Sequence, residues 1–214
     1  MNYIKIDTED VCNGEGLRVV LWLSGCSHRC KGCQNPQTWN ANSGIPFNKA
    51  AKEELFKELD KDYISGLTLS GGDPLFENNL DGVLDLVTEF NKRYKTPQDI
   101  DGNKTVDHDM LNENGNKIRL SFGGTKTIWL YSGYMWEECQ PLKTTPLLDP
   151  EKFASNLQSL LKKRYEIVKQ CDVLVDGRYI DSQRDISLRW CGSKNQRVID
   201  IKETIKEGEI ILWK

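Results

Sequence analysis

Four short apolar runs set the frame of this chain: Val19–Ser24, Leu67–Ser70, Ile128–Tyr131 and Val173–Val175. Each is brief, aliphatic and bounded by turn residues, the pattern of a buried strand. Met1–Ile6 reads as a further short strand. Helical patterns lie between them. Asn48 caps one helix through about Asp60, with Ala51, Leu55 and Leu59 along one face. Asn79 to about Arg93 carries Leu80, Val83, Leu84, Val87 and Phe90 at helical spacing. Asp149-Pro150-Glu151 starts a third helix, running to about Gln170, with Asp as cap and Pro at the first position. Strand–helix alternation predicts an α/β fold with a mostly parallel sheet. The 214 residues suit one domain, spanning 1–214.

The ends of the strand runs carry the chemistry. After Ser24 come three cysteines; the other runs end in Ser70-Gly71-Gly72-Asp73, Ser132-Gly133-Tyr134 and Asp176-Gly177-Arg178. Ligands of parallel α/β folds bind beyond the carboxyl ends of the strands. The four words are therefore expected along one edge.

The cysteines are Cys26, Cys30 and Cys33, spaced C-x3-C-x2-C. Three thiolates in one loop make a site for a soft metal. Three rather than four leave it incomplete, as in a four-iron cluster with one iron open to a small molecule. Two other readings stand beside it. The offsets i, i+4 and i+7 also describe one helix face, although Gly25, Gly32 and Pro36 interrupt such a helix. Zinc needs a fourth ligand, from His28 or a distant cysteine, and the usual second C-x2-C pair is missing. Cys12, Cys139, Cys171 and Cys191 are scattered and are expected as free thiols; His28 and His108 are expected to be solvated.

Composition narrows the setting. Hydrophobic residues make up 38% and charged residues 29%, with a net charge of −3. No basic excess argues for nucleic acid. No apolar run approaches a membrane span, and the first residues lack a signal-peptide pattern, so a cytoplasmic protein is expected. Seven cysteines in that compartment point to metal or redox chemistry rather than disulfides.

From about Tyr94 to Lys126 the chain turns polar and irregular. Thr105–Leu111 and Lys117–Phe122, around Asn114-Gly115, predict a small β-hairpin. The segment reads as a solvated insertion at about 94–126, and its carboxylates miss the calcium-loop spacing. It joins a helix end to a strand start, which places it away from the strand carboxyl ends.

Taken together, these words resemble a known family. The cysteine spacing is that of the radical S-adenosylmethionine (SAM) superfamily. Further words are Gly14-Glu15-Gly16-Leu17-Arg18, Ser24-Gly25-Cys26, Gly32-Cys33-Gln34-Asn35 with Trp39, and Ser70-Gly71-Gly72-Asp73-Pro74-Leu75. Ser132-Gly133-Tyr134, Val175-Asp176-Gly177-Arg178 and Gly192-Ser193-Lys194-Asn195-Gln196-Arg197 complete the set. The chain resembles activating proteins of anaerobic (class III) ribonucleoside-triphosphate reductase from about Gly14 to Ile201, the insertion excepted.

The resemblance implies a partial (β/α) barrel of the radical SAM type. It implies a [4Fe-4S] cluster on Cys26, Cys30 and Cys33, with SAM on the fourth iron through its amino and carboxylate groups. An electron from a low-potential donor such as flavodoxin would cleave SAM to methionine and a 5′-deoxyadenosyl radical. That radical would take hydrogen from a glycine of the reductase. Gly71, Gly72 and Asp73 correspond to the segment at the methionyl amine, Ser132 to a hydroxyl near SAM, and Asp176 and Arg178 to groups near its carboxylate. Each of these words is also a plausible strand-end turn. Gly32 stands where many relatives carry an aromatic against adenine. Alternatives are an activase of another glycyl-radical enzyme, a radical SAM enzyme acting on a small metabolite, or a non-catalytic iron–sulfur or zinc module. The last leaves the strand-end glycines unexplained.

Overall fold

The computed structural model describes residues 1–95, 108–111, 117–120, 125–141 and 153–214. Its strands are β1 (Asn2–Asp10), β2 (Arg18–Leu23), β3 (Ile45–Pro46), β4 (Gly66–Gly71), β5 (His108–Leu111), β6 (Lys117–Leu120), β7 (Thr127–Tyr131), β8 (Val173–Asp176) and β9 (Arg197–Asp200). Its α-helices are α1 (Lys49–Leu59), α2 (Leu80–Tyr94), α3 (Phe153–Val168) and α4 (Ile201–Glu207). Among the described residues, no helix is long and apolar enough to cross a membrane.

Seven strands form one sheet in the order β3-β1-β2-β4-β7-β8-β9. The central four run parallel, whereas β3–β1, β1–β2 and β8–β9 are antiparallel. The sheet is thus mixed, where the sequence pattern leads one to expect a mostly parallel one. The reason is local. A parallel neighbour needs a crossover, and an antiparallel one needs only a return of the chain. β1 turns directly into β2 through a loop in which the Asp10 carboxylate accepts from the Cys12 and Asn13 amides at 2.8 and 2.7 Å. β9 comes back from β8 with no α-helix between them.

Alternation along the central strands separates two faces. Val19, Leu21, Leu23, Leu67, Leu69, Ile128, Leu130 and Leu174 share one buried core with Leu55 and Phe56 of α1, Val87 and Phe90 of α2, and Ile167 of α3. Trp129, Val173 and Val175 form a second cluster, joined by Tyr131, Trp190, Cys191, Val198 and Trp213. Arg18 is fully buried and donates to Thr68 Oγ1 and to the Leu67 and Thr127 carbonyls at 2.6 to 2.8 Å. Burial lowers its pKa to about 10, which leaves it a cation at neutral pH.

Caps behave as the local sequence dictates. Asn48 Oδ1 accepts from the Ala51 amide at 3.1 Å. Asp200 caps α4 through the Glu203 amide, and Gly208 ends it in the left-handed region. The third helix's start at Asp149-Pro150-Glu151 lies outside the described residues. So does the turn at Asn114-Gly115, but β5 and β6 pair antiparallel across it, from His108↔Leu120 to Leu111↔Lys117.

Parallel register fixes where the functional words fall. Leu23 pairs with Gly71, Leu69 with Leu130, and Tyr131 with Val175. The carboxyl ends of β2, β4, β7 and β8 therefore lie side by side.

Candidate functional site

The cysteine loop leaves β2 and is pinned at its root. The Gly25 amide donates to the Thr38 carbonyl at 2.7 Å and the Cys26 amide to the Trp39 carbonyl at 3.1 Å. Asn79 Nδ2 donates to the Ser24 carbonyl at 2.8 Å. No helix runs through 26–33, and Arg29 adopts φ 46, which rules out the helical-face reading. The three thiols are unpaired and partly exposed. Backbone amides address their sulfurs: His28 and Arg29 at Cys26, Tyr179 at Cys30, and Asn35 at Cys33, the last at 3.4 Å. Burial, followed by the nearby Asp73 carboxylate, pushes the Cys26 thiol up to about 11. Burial also raises Cys30, against the pull of Arg178.

Gly71-Gly72-Asp73 closes onto this loop through the backbone. The Gly72 amide donates to the Leu23 carbonyl and the Asp73 amide to the Gly25 carbonyl, both at 2.8 Å. A Cβ at Gly72 would stand 2.5 Å from the Gly25 carbonyl oxygen, so only glycine permits this approach.

Asp73 is 1% exposed and its carboxylate is crowded with donors. Oδ1 accepts from the Leu75 amide at 2.8 Å and from Ser132 Oγ at 2.9 Å. Oδ2 accepts from the Gly133 amide at 2.9 Å and pairs with His28 Nε2 at 2.9 Å. The His28 side chain is only 4% exposed, contrary to the expectation of a solvated histidine. Space for it comes from Gly133, where a Cβ would stand 2.3 Å from the ring. Behind it, Tyr134 packs edge-on to His28 at 4.4 Å, and the Arg164 guanidinium lies 3.7 Å from the Tyr134 ring centre.

One cavity collects most of the expected residues. Cys26, Cys30, Cys33, Gly71, Gly72, Asp73 and Ser132 all line it, and His28, Trp39, Tyr131, Gly177, Tyr179 and Gln196 are among the other wall residues. Asp176 and Arg178 flank this cavity without lining it. Asp176 is buried; it accepts from Arg197 Nε at 2.9 Å and from the Trp136 amide at 2.8 Å. Arg178 is 58% exposed and stands 3.7 Å from Glu138. The Gly192–Arg197 word holds this strand end. Asn195 Nδ2 donates to the Arg178 carbonyl at 2.8 Å and Gln196 Nε2 to the Gly177 carbonyl at 3.0 Å.

The donor set fits an iron–sulfur cluster. Three free thiols share a wall, and each sulfur has a backbone N–H beside it, the environment that stabilises cluster sulfurs. The remaining cysteines do not line the cavity: Cys139 and Cys171 are buried, Cys12 is exposed and Cys191 half-buried. Among the described residues no three His, Cys, Asp or Glu side chains are grouped around a single metal-ion position.

Comparison with known proteins agrees with this chemistry. A family model described as a 4Fe-4S single cluster domain matches residues 12–104 and 102–199. Three relatives are each named an anaerobic ribonucleoside-triphosphate reductase-activating protein. The one from Enterobacteria phage T4 is 33% identical over 198 residues, 92% of this chain and 93% of that protein. The one from Escherichia coli (strain K12) is 32% identical over 200 residues, 92% of this chain and 97% of that protein. The one from Vibrio cholerae is 34% identical over 198 residues, 92% of this chain and 96% of that protein. Matched over 92% of its length at 32–33% identity to the first two of these, the chain belongs to the family of anaerobic ribonucleoside-triphosphate reductase-activating proteins.

Proposed function

We propose that this chain is a radical SAM activase. With a [4Fe-4S] cluster on Cys26, Cys30 and Cys33 it cleaves SAM reductively and generates a glycyl radical on an anaerobic ribonucleoside-triphosphate reductase. The observation that carries this reading is the single cavity shared by the three cysteines, the Gly71-Gly72-Asp73 segment and Ser132. The names of the relatives supply the protein substrate.

When bound, the cluster supplies a low-potential electron and one iron without a protein thiolate. The chain's own residues do the rest. Gly71 and Gly72 present backbone to the methionyl end of SAM. Asp73 holds Ser132 and the Gly133 amide at the cavity wall. Tyr179, on the same wall, offers SAM the aromatic surface that Gly32 does not. Arg178 is free enough to turn from Glu138 toward the SAM carboxylate, and Asp176 holds its strand end in place. Helices packed on one face of a mixed sheet, with a smaller cluster of aromatic and aliphatic side chains on the other, support a partial (β/α) barrel. A low-potential donor such as flavodoxin and a cytoplasmic setting complete the proposal.

The test is anaerobic reconstitution followed by assay of SAM cleavage, with and without the reductase of the same organism. Methionine and 5′-deoxyadenosine should form, and the reductase should acquire a glycyl-radical EPR signal. Cleavage with no radical on the reductase assigns another protein or a small metabolite as substrate. A stoichiometric zinc site that resists cluster assembly ends the proposal.

A further inference from the structure

The cysteine loop borders two openings. The first is the cavity already described, which the cluster and SAM fill in the proposed reaction. The second is a cleft of about 750 Å³, and Cys26 is a wall residue of both. Ser27, Arg29, Gln37 and Asn40 are among the other walls of the cleft, and no carboxylate lines it. Arg29 sits in the left-handed region at φ 46, uncommon for a residue other than glycine, with its amide at the Cys26 sulfur. Its backbone thus serves the loop while the residue stays exposed, as does Lys31 two positions on. Neither cation forms an ion pair among the described residues. Asp181 packs against Gly32 between them, yet it accepts from the Tyr179 hydroxyl instead. On a chain of net charge −3, this is a local patch of the opposite sign.

We propose that this cleft, with Arg29 and Lys31, is the docking surface of a protein electron donor whose redox centre lies beneath an acidic surface; the proposal rests on the cluster reading above. The step is a single electron transfer. The donor is oxidised by one electron, the cluster is reduced by one, and no bond forms or breaks. A donor seated here is separated from the cluster by Cys26, itself a ligand, and it leaves the cavity to SAM. Redox encounters of this kind bury little surface and depend on opposite charges to steer the two proteins together. A small cleft beside two unpaired cations meets both conditions.

The experiment mixes the anaerobically reconstituted protein with a reduced flavodoxin of acidic surface and follows flavin reoxidation by stopped flow. An uncharged small reductant, photoreduced 5-deazariboflavin, serves as the reference, and the ratio of the two cluster-reduction rates is compared between proteins. At low ionic strength, Arg29→Glu with Lys31→Glu should lower that ratio about tenfold or more, the low end of what electrostatic steering supplies. The difference should shrink as salt is added. Lys57→Glu with Lys92→Glu makes the same change in net charge in the last turns of α1 and α2 and should leave the ratio near wild type. An unchanged ratio in the loop variant overturns the proposal. So does a fall that salt does not diminish, or one that the helix variant matches. Should the loop variant fail to retain iron, Gln37→Glu with Asn40→Asp places negative charge on the cleft wall outside the cysteine loop, and the same ratio decides. A wild-type protein that takes up no cluster defeats the cluster reading itself, a result distinct from equal ratios in loaded proteins.

Discussion

The carboxylate of Asp73 takes hydrogen bonds from the Leu75 and Gly133 amides and the Ser132 hydroxyl, and pairs with the His28 ring. An ionised carboxylate accepts at both oxygens. An asparagine cannot, because its NH2 would face a donor whichever way it turns. Asp73→Asn should therefore lower stability by about 1–3 kcal/mol, the cost of a buried donor left without an acceptor. A urea midpoint equal to wild type would take Asp73 out of this role. Arg178 tests the ligand side of the same wall. Its exposed contact with Glu138 is weak, so Arg178→Ala should leave stability unchanged. SAM affinity should drop by about 1–3 kcal/mol, as when a charge-assisted hydrogen bond is lost; unchanged affinity in a calorimetric titration would remove Arg178 from the site. At this scale the cysteines are legible because their spacing is local and chemically specific. His28 is not, because its partner lies 45 positions away and nothing in Cys26-Ser-His-Arg-Cys30 signals burial. Trp39 is legible as part of the family word, but its place against Cys26 is set by a backbone bond, the Cys26 amide to the Trp39 carbonyl, which no side-chain pattern announces.

Between elements, the decisive joint is the seam where the cysteine loop meets the end of β4. Two backbone hydrogen bonds close it, Gly72 to Leu23 and Asp73 to Gly25. The sequence suggests that Gly72 makes room for a ligand. The structure shows that it first makes room for the Gly25 carbonyl, 2.5 Å from where a Cβ would sit. A carbonyl within a pinned loop cannot step aside as a flexible side chain can. Gly72→Val should therefore separate the two loops and cost the protein its cluster as well as SAM. Iron content after reconstitution checks this, with circular dichroism to confirm that the fold persists. A folded variant with full iron would show that the seam is not needed to hold the thiols. The central strands β2, β4, β7 and β8 are legible because burial on both faces leaves continuous apolar runs. β9 is not: Arg197–Asp200 is short and mostly half-buried, and its role depends on Arg197 reaching Asp176 across the sheet. β1 outruns its apolar start, Met1–Ile6, because the polar stretch to Asp10 is held by pairing with β2 rather than by burial.

For the molecule as a whole, the parallel strands give the sheet two unlike ends. The cavity sits at the carboxyl end, beyond Gly71 and Tyr131. The polar insertion is rooted at the other. Lys95, the residue after α2, is buried and pairs with Asp172 at 2.7 Å, and Asp172 also accepts from the Ile128 amide near the start of β7. On the returning side, Lys126 donates to the Lys61 and Ile64 carbonyls at 2.9 and 2.6 Å. Five residues of β7 at about 3.3 Å each put roughly 16 Å between these roots and the cavity. The anchors are Lys95 and Lys126 themselves, so a cut that spares both should leave the sheet unstrained. Loop length by itself costs little, since closure entropy changes only slowly with it. Replacing residues 97–124 by a short Gly-Ser linker should therefore preserve iron content, SAM affinity and SAM cleavage. Activation of the reductase is a separate readout, because a lost docking contact would lower it without touching SAM cleavage. If the shortened protein keeps its helical signal but loses the cluster or SAM, the insertion extends past its roots to the carboxyl end of the sheet. The two ends of the molecule would then not be the independent parts that the strand order makes them.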